Sequence, residues 1–276
     1  MDENQEFLAA YAMIKRPKMP SMVNYDSGSQ VRIIRQLISV GITPIDYEID
    51  VEDYRTYFDN AGYKRSFPNY YDFNLHEKSL EHYLCSQLLS LGKEDVYIDV
   101  ASEHSPVPEI YSRLFGAKCY RQDLFYPPGL NGDKIGGDAG NMPVSSGFAT
   151  KMGLHCSLEH FEGRADIAFL KEAGRVLRPG GRICIIPLYL SEFYGVQTDP
   201  VVAMKDNVAF DEDAVICCAK GWGNRHGRFY DYLHLEERIV ENLGEMKITV
   251  YAFTNAKEVD PSGYVLFGVV IDKPAM

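Results

Sequence analysis

The chain has 276 residues, 46% of them apolar and 24% charged, with 23 glycines and 14 prolines spread along it rather than massed in tracts. That balance excludes disorder and fits one α/β core carrying extensions. The 28 basic and 39 acidic side chains give a formal charge of −11 without any Lys/Arg stripe, so a polyphosphate backbone meets net repulsion and nucleic acid is not an expected partner.

The acidic start, Met1 to Glu6, has no basic region followed by an apolar one, and the longest apolar run, near Ile183 to Leu190, is too short to span a bilayer. The expectation is a cytoplasmic protein with no membrane partner. The cysteines Cys85, Cys119, Cys156, Cys184, Cys217 and Cys218 fall mainly in apolar segments with no C-x-x-C pair, which predicts reduced, core-filling thiols rather than disulfides or a zinc site.

Residues 1–74 are rich in tyrosine (Tyr47, Tyr54, Tyr57, Tyr63, Tyr70, Tyr71) and interrupted by Pro17, Pro20, Pro44 and Pro68, which predicts short helices and loops rather than a sheet, the tyrosines packing over apolar surface. From Leu75 to Leu91 the positions Leu80, Tyr83, Leu84, Leu88 and Leu91 recur at helical spacing, predicting a helix that packs one face and stops at Gly92. Val96 to Val100 reads as a buried strand, and Ser105 as the N-cap of a helix whose first turn holds Pro106 and Pro108.

Alternation follows. Ala117 to Tyr120 reads as a strand, Gly129 to Gly137 as a glycine-rich connection, Phe148 to His155 as a strand and Ala165 to Leu177 as a helix. Arg178-Pro-Gly-Gly181 breaks that helix before the apolar strand Arg182 to Leu190. Such alternation implies parallel βαβ units with ligands at the carboxyl ends of the strands. A polar and aromatic insertion reaches about Asn242 and includes Cys217-Cys218 as a buried strand; Lys247 to Thr254 and Tyr264 to Asp272 then close the chain as an antiparallel pair.

Four pieces stand in a telling order: Val96 to Val100 with the loop to Ser105, Asp123 after the next strand, Gly137 to Pro143, and Leu154 to His160 leading to Arg175-Val-Leu-Arg-Pro-Gly-Gly181. In this the segment from Val96 to Leu190, about a third of the chain, resembles the class I S-adenosylmethionine-dependent methyltransferases of the type 11-like kind. The resemblance implies a Rossmann-like, doubly wound, seven-stranded and mostly parallel sheet with one antiparallel C-terminal strand. Residues 1–92 would be an N-terminal helical extension, and 93–276 the methyltransferase domain with a cap insertion at 191–242.

The resemblance also implies roles. Asp99 would close the first strand beside the cofactor, with the loop Ala101 to Ser105, including Glu103, passing under its methionine part. Asp123 would take the ribose hydroxyls, with Gln122 in its place if the strand ends one residue earlier; Asp138 would accept from the adenine amino group, Ala139 offering its N–H and Met142 packing on the ring. The family's glycine positions hold Ala101, Glu103 and Ser105 here. A pyrophosphate needs glycines and free helix N–H groups, whereas a loop with a carboxylate and prolines tolerates a cofactor bearing a sulfonium and an ammonium.

His155, at the end of its strand, is the leading candidate for a general base, against a structural histidine bonded to a carbonyl. Glu159 is the second catalytic candidate and, with His160, an alternative cap for the following helix. The histidines of His155 to His160 are five apart rather than four, so the zinc-protease helix is rejected, and no metal is expected from His104, His155, His160 and Glu159. Gly221 to Tyr230, with Trp222, Arg225, His226 and Arg228, reads either as a loop closing over an acceptor or as a solvent-facing connection. The expected activity is methyl transfer to a small polar acceptor, with a sugar or glycan precursor suggested by composition. A non-catalytic adenosyl-binding or partner-binding relative and an NAD-dependent oxidoreductase are the rivals, because fold alone does not separate them.

Overall fold

The computed structural model describes residues 2–70 and 73–275, so Tyr71 lies outside the described residues. In chain order, α1 (Glu3–Met13), β1 (Lys18–Met19) and α2 (Ser29–Ser39) are followed by β2 (Ile45–Tyr47), α3 (Val51–Ala61), α4 (Tyr63–Ser66) and α5 (Leu75–Leu89). Then come β3 (Val96–Val100), α6 (Val107–Phe115), β4 (Lys118–Asp123), β5 (Gly129–Asn131), β6 (Lys134–Gly136), β7 (Ala149–His155), α7 (Ala165–Val176) and β8 (Leu177–Ile186). The chain ends with β9 (Gly195–Thr198), α8 (Pro200–Asp206), β10 (Val215–Cys218), β11 (Gly227–Phe229), α9 (Tyr232–Arg238), β12 (Lys247–Phe253), α10 (Ala256–Val259) and β13 (Phe267–Asp272).

Contacts divide these elements into two units. One comprises Met1–Ile42, Leu158–Asp166 and Tyr189–Val240; the other comprises Thr43–Ser157, Ile167–Leu188 and Glu241–Met276. Division therefore falls elsewhere than the expected 1–92 and 93–276. Residues 43–92 pack with the larger sheet, while the insertion after Leu190 folds together with the first 42 residues.

The larger unit is built on a nine-stranded sheet of order β2-β12-β13-β8-β7-β3-β4-β6-β5. Seven of these strands are those of the expected Rossmann-like sheet. The surplus is two three-residue strands at its edges: β2 pairs parallel to β12, and β5 turns back antiparallel on β6. β13 runs antiparallel to both β12 and β8, as expected of the C-terminal strand. The interior strands are apolar on both faces, which is what helices on either side of a parallel sheet require.

Local chemistry sets several boundaries differently from the sequence reading. The Arg178 to Gly181 turn is absorbed into the start of β8, which pairs with β7 from Leu177 onward, and the strand stops at Ile186 because Pro187 has no N–H to give the ladder. α6 begins at Val107 after Pro106, one residue later than a Ser105 N-cap implies, although the Ser105 hydroxyl still accepts the Val107 N–H at 3.2 Å. Residues 1–74 contain two short strands, β1 and β2, where none was expected.

Helix α5 departs most. It ends at Ser90, whose φ of 48° supplies the left-handed stop expected two residues later at Gly92. It packs on β7 and β8 and on α3, with Tyr54, Tyr57 and Tyr63 around it, and is buried on nearly every side rather than one. Glu77, Lys78, Ser79, Glu81, His82 and Ser86 are all among its buried residues.

The smaller unit carries a four-stranded sheet of order β1-β10-β9-β11, in which only β11 is antiparallel to its neighbour. Cys217 and Cys218 lie in its buried strand β10, as expected. The Gly221 to Tyr230 segment is only partly a loop: His226 and Arg228 are fully buried and β11 pairs with β9. Arg228 donates to the Phe161 and Gly163 carbonyls and meets Asp166 at 3.2 Å and Asp211 at 2.9 Å.

Candidate functional site

The carboxyl ends of β3 and β7 open into a cavity of about 510 Å³, lined by Asn69, Tyr70 and Phe73, by the whole of Asp99 to Ser105, and by His155 and Cys156. Four of the expected site residues therefore come together: Asp99, Ala101, Glu103 and His155.

The loop after β3 turns without glycine by placing both Ala101 (φ 52°) and Glu103 (φ 44°) in the left-handed region. Such backbone costs an ordinary L residue roughly 1–2 kcal/mol and persists only where its surroundings hold it. Here they do so by hydrogen bonds from β4: Gln122 accepts the Ala101 N–H through its side chain and the Ser102 N–H through its carbonyl, and the Asp123 carboxylate accepts the Glu103 N–H at 2.8 Å. The Tyr126 hydroxyl completes the clamp by donating to the Glu103 carbonyl.

Asp123 thus has one oxygen on the Glu103 N–H and the other on the Phe125 N–H. It is buried and does not line the cavity, and Gln122 bridges the loop to the Gly137 carbonyl. Asp138, Ala139 and Met142 also lie outside the cavity lining. Asp138 is exposed and accepts the Gly140 N–H, Ala139 is buried, and the buried Met142 gives its N–H to Glu172. Glu159 belongs to the smaller unit, in a single 3-10 turn with His160, whose imidazole stands 3.7 Å from its carboxylate. Its carbonyl accepts from His226.

His155 is held firmly. Its Nε2 lies 3.0 Å from the Tyr97 hydroxyl and 3.7 Å from Asp99 Oδ1, and its side chain is only 6% exposed. Gly153 makes this possible, because a Cβ there would stand 2.1 Å from the Tyr97 hydroxyl oxygen and 3.1 Å from Cys85 Sγ. Burial works against the charged imidazole, yet Cys85, Asp99 and Glu81 around it outweigh that and hold its pKa above the ordinary value. Burial pushes the Asp99 carboxyl up to about 6, with His155 drawing it back. Two buried polar atoms on this lining, Asp99 Oδ2 and His155 Nδ1, have no hydrogen-bond partner among the described residues.

Behind the cavity, α5 presents Lys78, Glu81, His82 and Cys85, spaced so that they share one helical face. His82 stacks edge-on against His155 at 4.9 Å and bonds Tyr63 through Nδ1 and Tyr70 through Nε2; burial holds its pKa well below the usual range. Glu81 accepts from Lys78 at 3.1 Å and from the thiol of Cys156 at 3.1 Å. These residues escape a reading that counts only apolar positions. Their signal was the polar spacing 78, 81, 82, 85 inside a helix with apolar residues on its other sides.

Among the described residues no group of three or more His, Cys, Asp or Glu side chains is placed to hold a metal ion, and no helix is long and apolar enough to cross a membrane.

No family model matches the sequence, and no curated protein matches it. Solved structures do. The chain is similar to the 1,6-didemethyltoxoflavin-N1-methyltransferase of Burkholderia thailandensis, crystallised with 1,6-didemethyltoxoflavin and S-adenosylhomocysteine, at 13% identity and a TM-score of 0.51 over 84% of this chain and 95% of that one. It also matches a chain from a complex between the Haloferax volcanii Trm112 methyltransferase activator and a candidate methyltransferase, at 10% identity and a TM-score of 0.48 over 80% and 97% of the two chains. A third match, the geranyl diphosphate C-methyltransferase of Streptomyces coelicolor, has 11% identity and a TM-score of 0.43 over 71% and 79%. The first establishes that the chain has the Rossmann-like fold found in S-adenosylmethionine-dependent methyltransferases.

Proposed function

We propose that the chain binds S-adenosylmethionine in the cavity at the ends of β3 and β7 and transfers its methyl group to a small-molecule acceptor. The observation that carries this reading is the chemistry of the lining. Two carboxylates, Asp99 and Glu103, share one cavity with the aromatic rings of Tyr70 and Phe73, and Asp99 Oδ2 and His155 Nδ1 are buried there with no hydrogen-bond partner among the described residues. Carboxylates and ring faces both attract cations, which fits a ligand bearing a sulfonium and an ammonium. A pyrophosphate fits poorly: Glu103 repels it, and α6 begins just after Pro106 and carries Pro108 in its first turn, so the usual N–H donors are reduced. The matched N1-methyltransferase, crystallised with S-adenosylhomocysteine, supports the same reading.

When bound, S-adenosylmethionine supplies a methyl already activated on sulfur. The chain's own work is then positioning and exclusion of water. Asp123 and Gln122 hold the loop that receives the cofactor, rather than reaching it themselves. His155, steadied by Tyr97 and Asp99, would take a proton from the acceptor at Nδ1. Because only neutral imidazole does so and its pKa is held above 6.5, turnover would rise with pH through that raised value. Asp138, Ala139, Met142 and Glu159 have no part in this proposal, and the matched N1-methyltransferase, bound to 1,6-didemethyltoxoflavin, lends no support to a sugar acceptor.

Calorimetric titration with S-adenosylhomocysteine and with NAD tests the reading. The expected result is binding of the first, weakened at least roughly tenfold in Asp99→Asn, with no binding of NAD. Tight NAD binding, or an adenosylhomocysteine affinity indifferent to Asp99, would overturn it.

A further inference from the structure

Cys156 follows the last residue of β7 and lines the cavity, and it holds a left-handed φ of 47° that a non-glycine residue adopts only under constraint. Its thiol donates to Glu81 Oε1 at 3.1 Å. The same carboxylate oxygen accepts from the Lys78 ammonium at 3.1 Å, and Lys78 and Glu81 are almost wholly enclosed, with side-chain exposures of 6% and 0%. The Tyr264 hydroxyl stands 3.9 Å from the sulfur. A nucleophile, a base within hydrogen-bond reach and a third group orienting that base form the arrangement that activates thiols and hydroxyls in unrelated sites. On the same lining the buried atoms Asp99 Oδ2 and His155 Nδ1, which have no hydrogen-bond partner among the described residues, point to a cavity that takes a ligand.

We propose that Cys156, Glu81 and Lys78 form a reactive thiol site, in which Cys156 Sγ is alkylated by soft carbon electrophiles small enough to enter the cavity. In that step the Sγ–carbon bond forms as the bond from carbon to its leaving group breaks, the leaving group departs with the electron pair, and the thiol proton passes to Glu81. Lys78 fixes the carboxylate in place and offsets the charge that develops on sulfur. The chemistry of the site does not depend on which cofactor the cavity takes, since Glu81 and Lys78 supply it. It also corrects the expectation that the cysteines only fill the core: Cys85, Cys184, Cys217 and Cys218 are buried, whereas Cys119 and Cys156 are part-exposed.

Cys119 is the internal control. It is part-exposed like Cys156, but its thiol donates to the Ala117 carbonyl, at 3.6 Å, rather than to a carboxylate, and burial pushes its pKa up to about 12. The folded, full-length protein is treated with limiting iodoacetamide at neutral pH, and carbamidomethylation is followed peptide by peptide by mass spectrometry. Cys156 is expected to react on the order of tenfold faster than Cys119. Glu81→Gln, checked for folding by circular dichroism, is expected to slow Cys156 several-fold and leave Cys119 unchanged. Equal rates at Cys156 and Cys119 in the unmutated protein would overturn the site without recourse to any variant. So would an unchanged or faster Cys156 in folded Glu81→Gln.

Discussion

Glu77 keeps a carboxylate where water does not reach it. One oxygen accepts the Tyr264 N–H at 2.9 Å, the residue is 1% exposed, and burial beside Glu81 pushes its pKa up to about 7 from 4.5. A carboxyl whose folded pKa is raised binds its proton more tightly in the native state, so stability is full below the unfolded value and is lost as pH climbs through the folded one. Glu77→Gln keeps an oxygen for Tyr264 and removes the titration. It is expected to leave stability at pH 4 nearly unchanged and to raise it by about 1–3 kcal/mol at pH 8, as read from urea unfolding at the two pH values. Equal effects at both pH values would show that Glu77 does not carry the shift. At this scale the sequence was legible where a residue sits at a strand end or in the loop that follows it: Asp99, Glu103 and His155 line one cavity. It was illegible for Asp123, because a carboxylate suited to two hydroxyls is equally suited to two backbone N–H groups, and only the turn at Glu103 shows which it holds.

The elements around the site were readable to the extent that one periodicity dominated them. β3, β7 and the closing pair β12 and β13 follow from apolar runs bounded by turn residues, and α7 from helical spacing. The three-residue strands β2 and β5 are set by neighbours rather than by their own side chains, and so left no signal. The loop between β3 and α6 is the instructive case. Its backbone geometry is that of a glycine loop, but hydrogen bonds from Gln122, Asp123 and Tyr126 hold two ordinary residues in it. Ala101→Gly should relieve one strained position and stabilise the fold by up to about 1 kcal/mol, less than the strain itself because glycine also frees the unfolded chain. Gly153→Ala should do the reverse, costing about 1–3 kcal/mol, since the new methyl overlaps the Tyr97 hydroxyl that steadies His155. Thermal melting of both variants checks the opposite signs. A stabilising Gly153→Ala would mean that Tyr97 moves aside freely.

At the scale of the whole molecule, the division into two units crosses the order of the chain. The smaller unit is collected from three separate stretches, and buried Arg228 is where two of them meet: from Tyr189–Val240 it reaches Phe161, Gly163 and Asp166 in Leu158–Asp166, and it binds Tyr194 and Asp211 in its own stretch. Arg228→Met would leave Asp166 and Asp211 without that cation and is expected to cost about 3–5 kcal/mol in chemical denaturation; a loss below 1 kcal/mol would show that Arg238 alone satisfies Asp166. None of this was legible beforehand, because periodicity reports what each segment buries and not which distant segment it buries against. The pairing of β1 with β10, Lys18 opposite Ile216 and Met19 opposite Cys217, sets a schedule for the nascent chain. At about 5–20 residues per second, β1 leaves the ribosome roughly 10–40 s before its partner strand exists. Strands β3, β4, β7 and β8 of the larger sheet are all synthesised during that wait, whereas the first strand of the smaller unit must stay unpaired and soluble until most of the chain has been made.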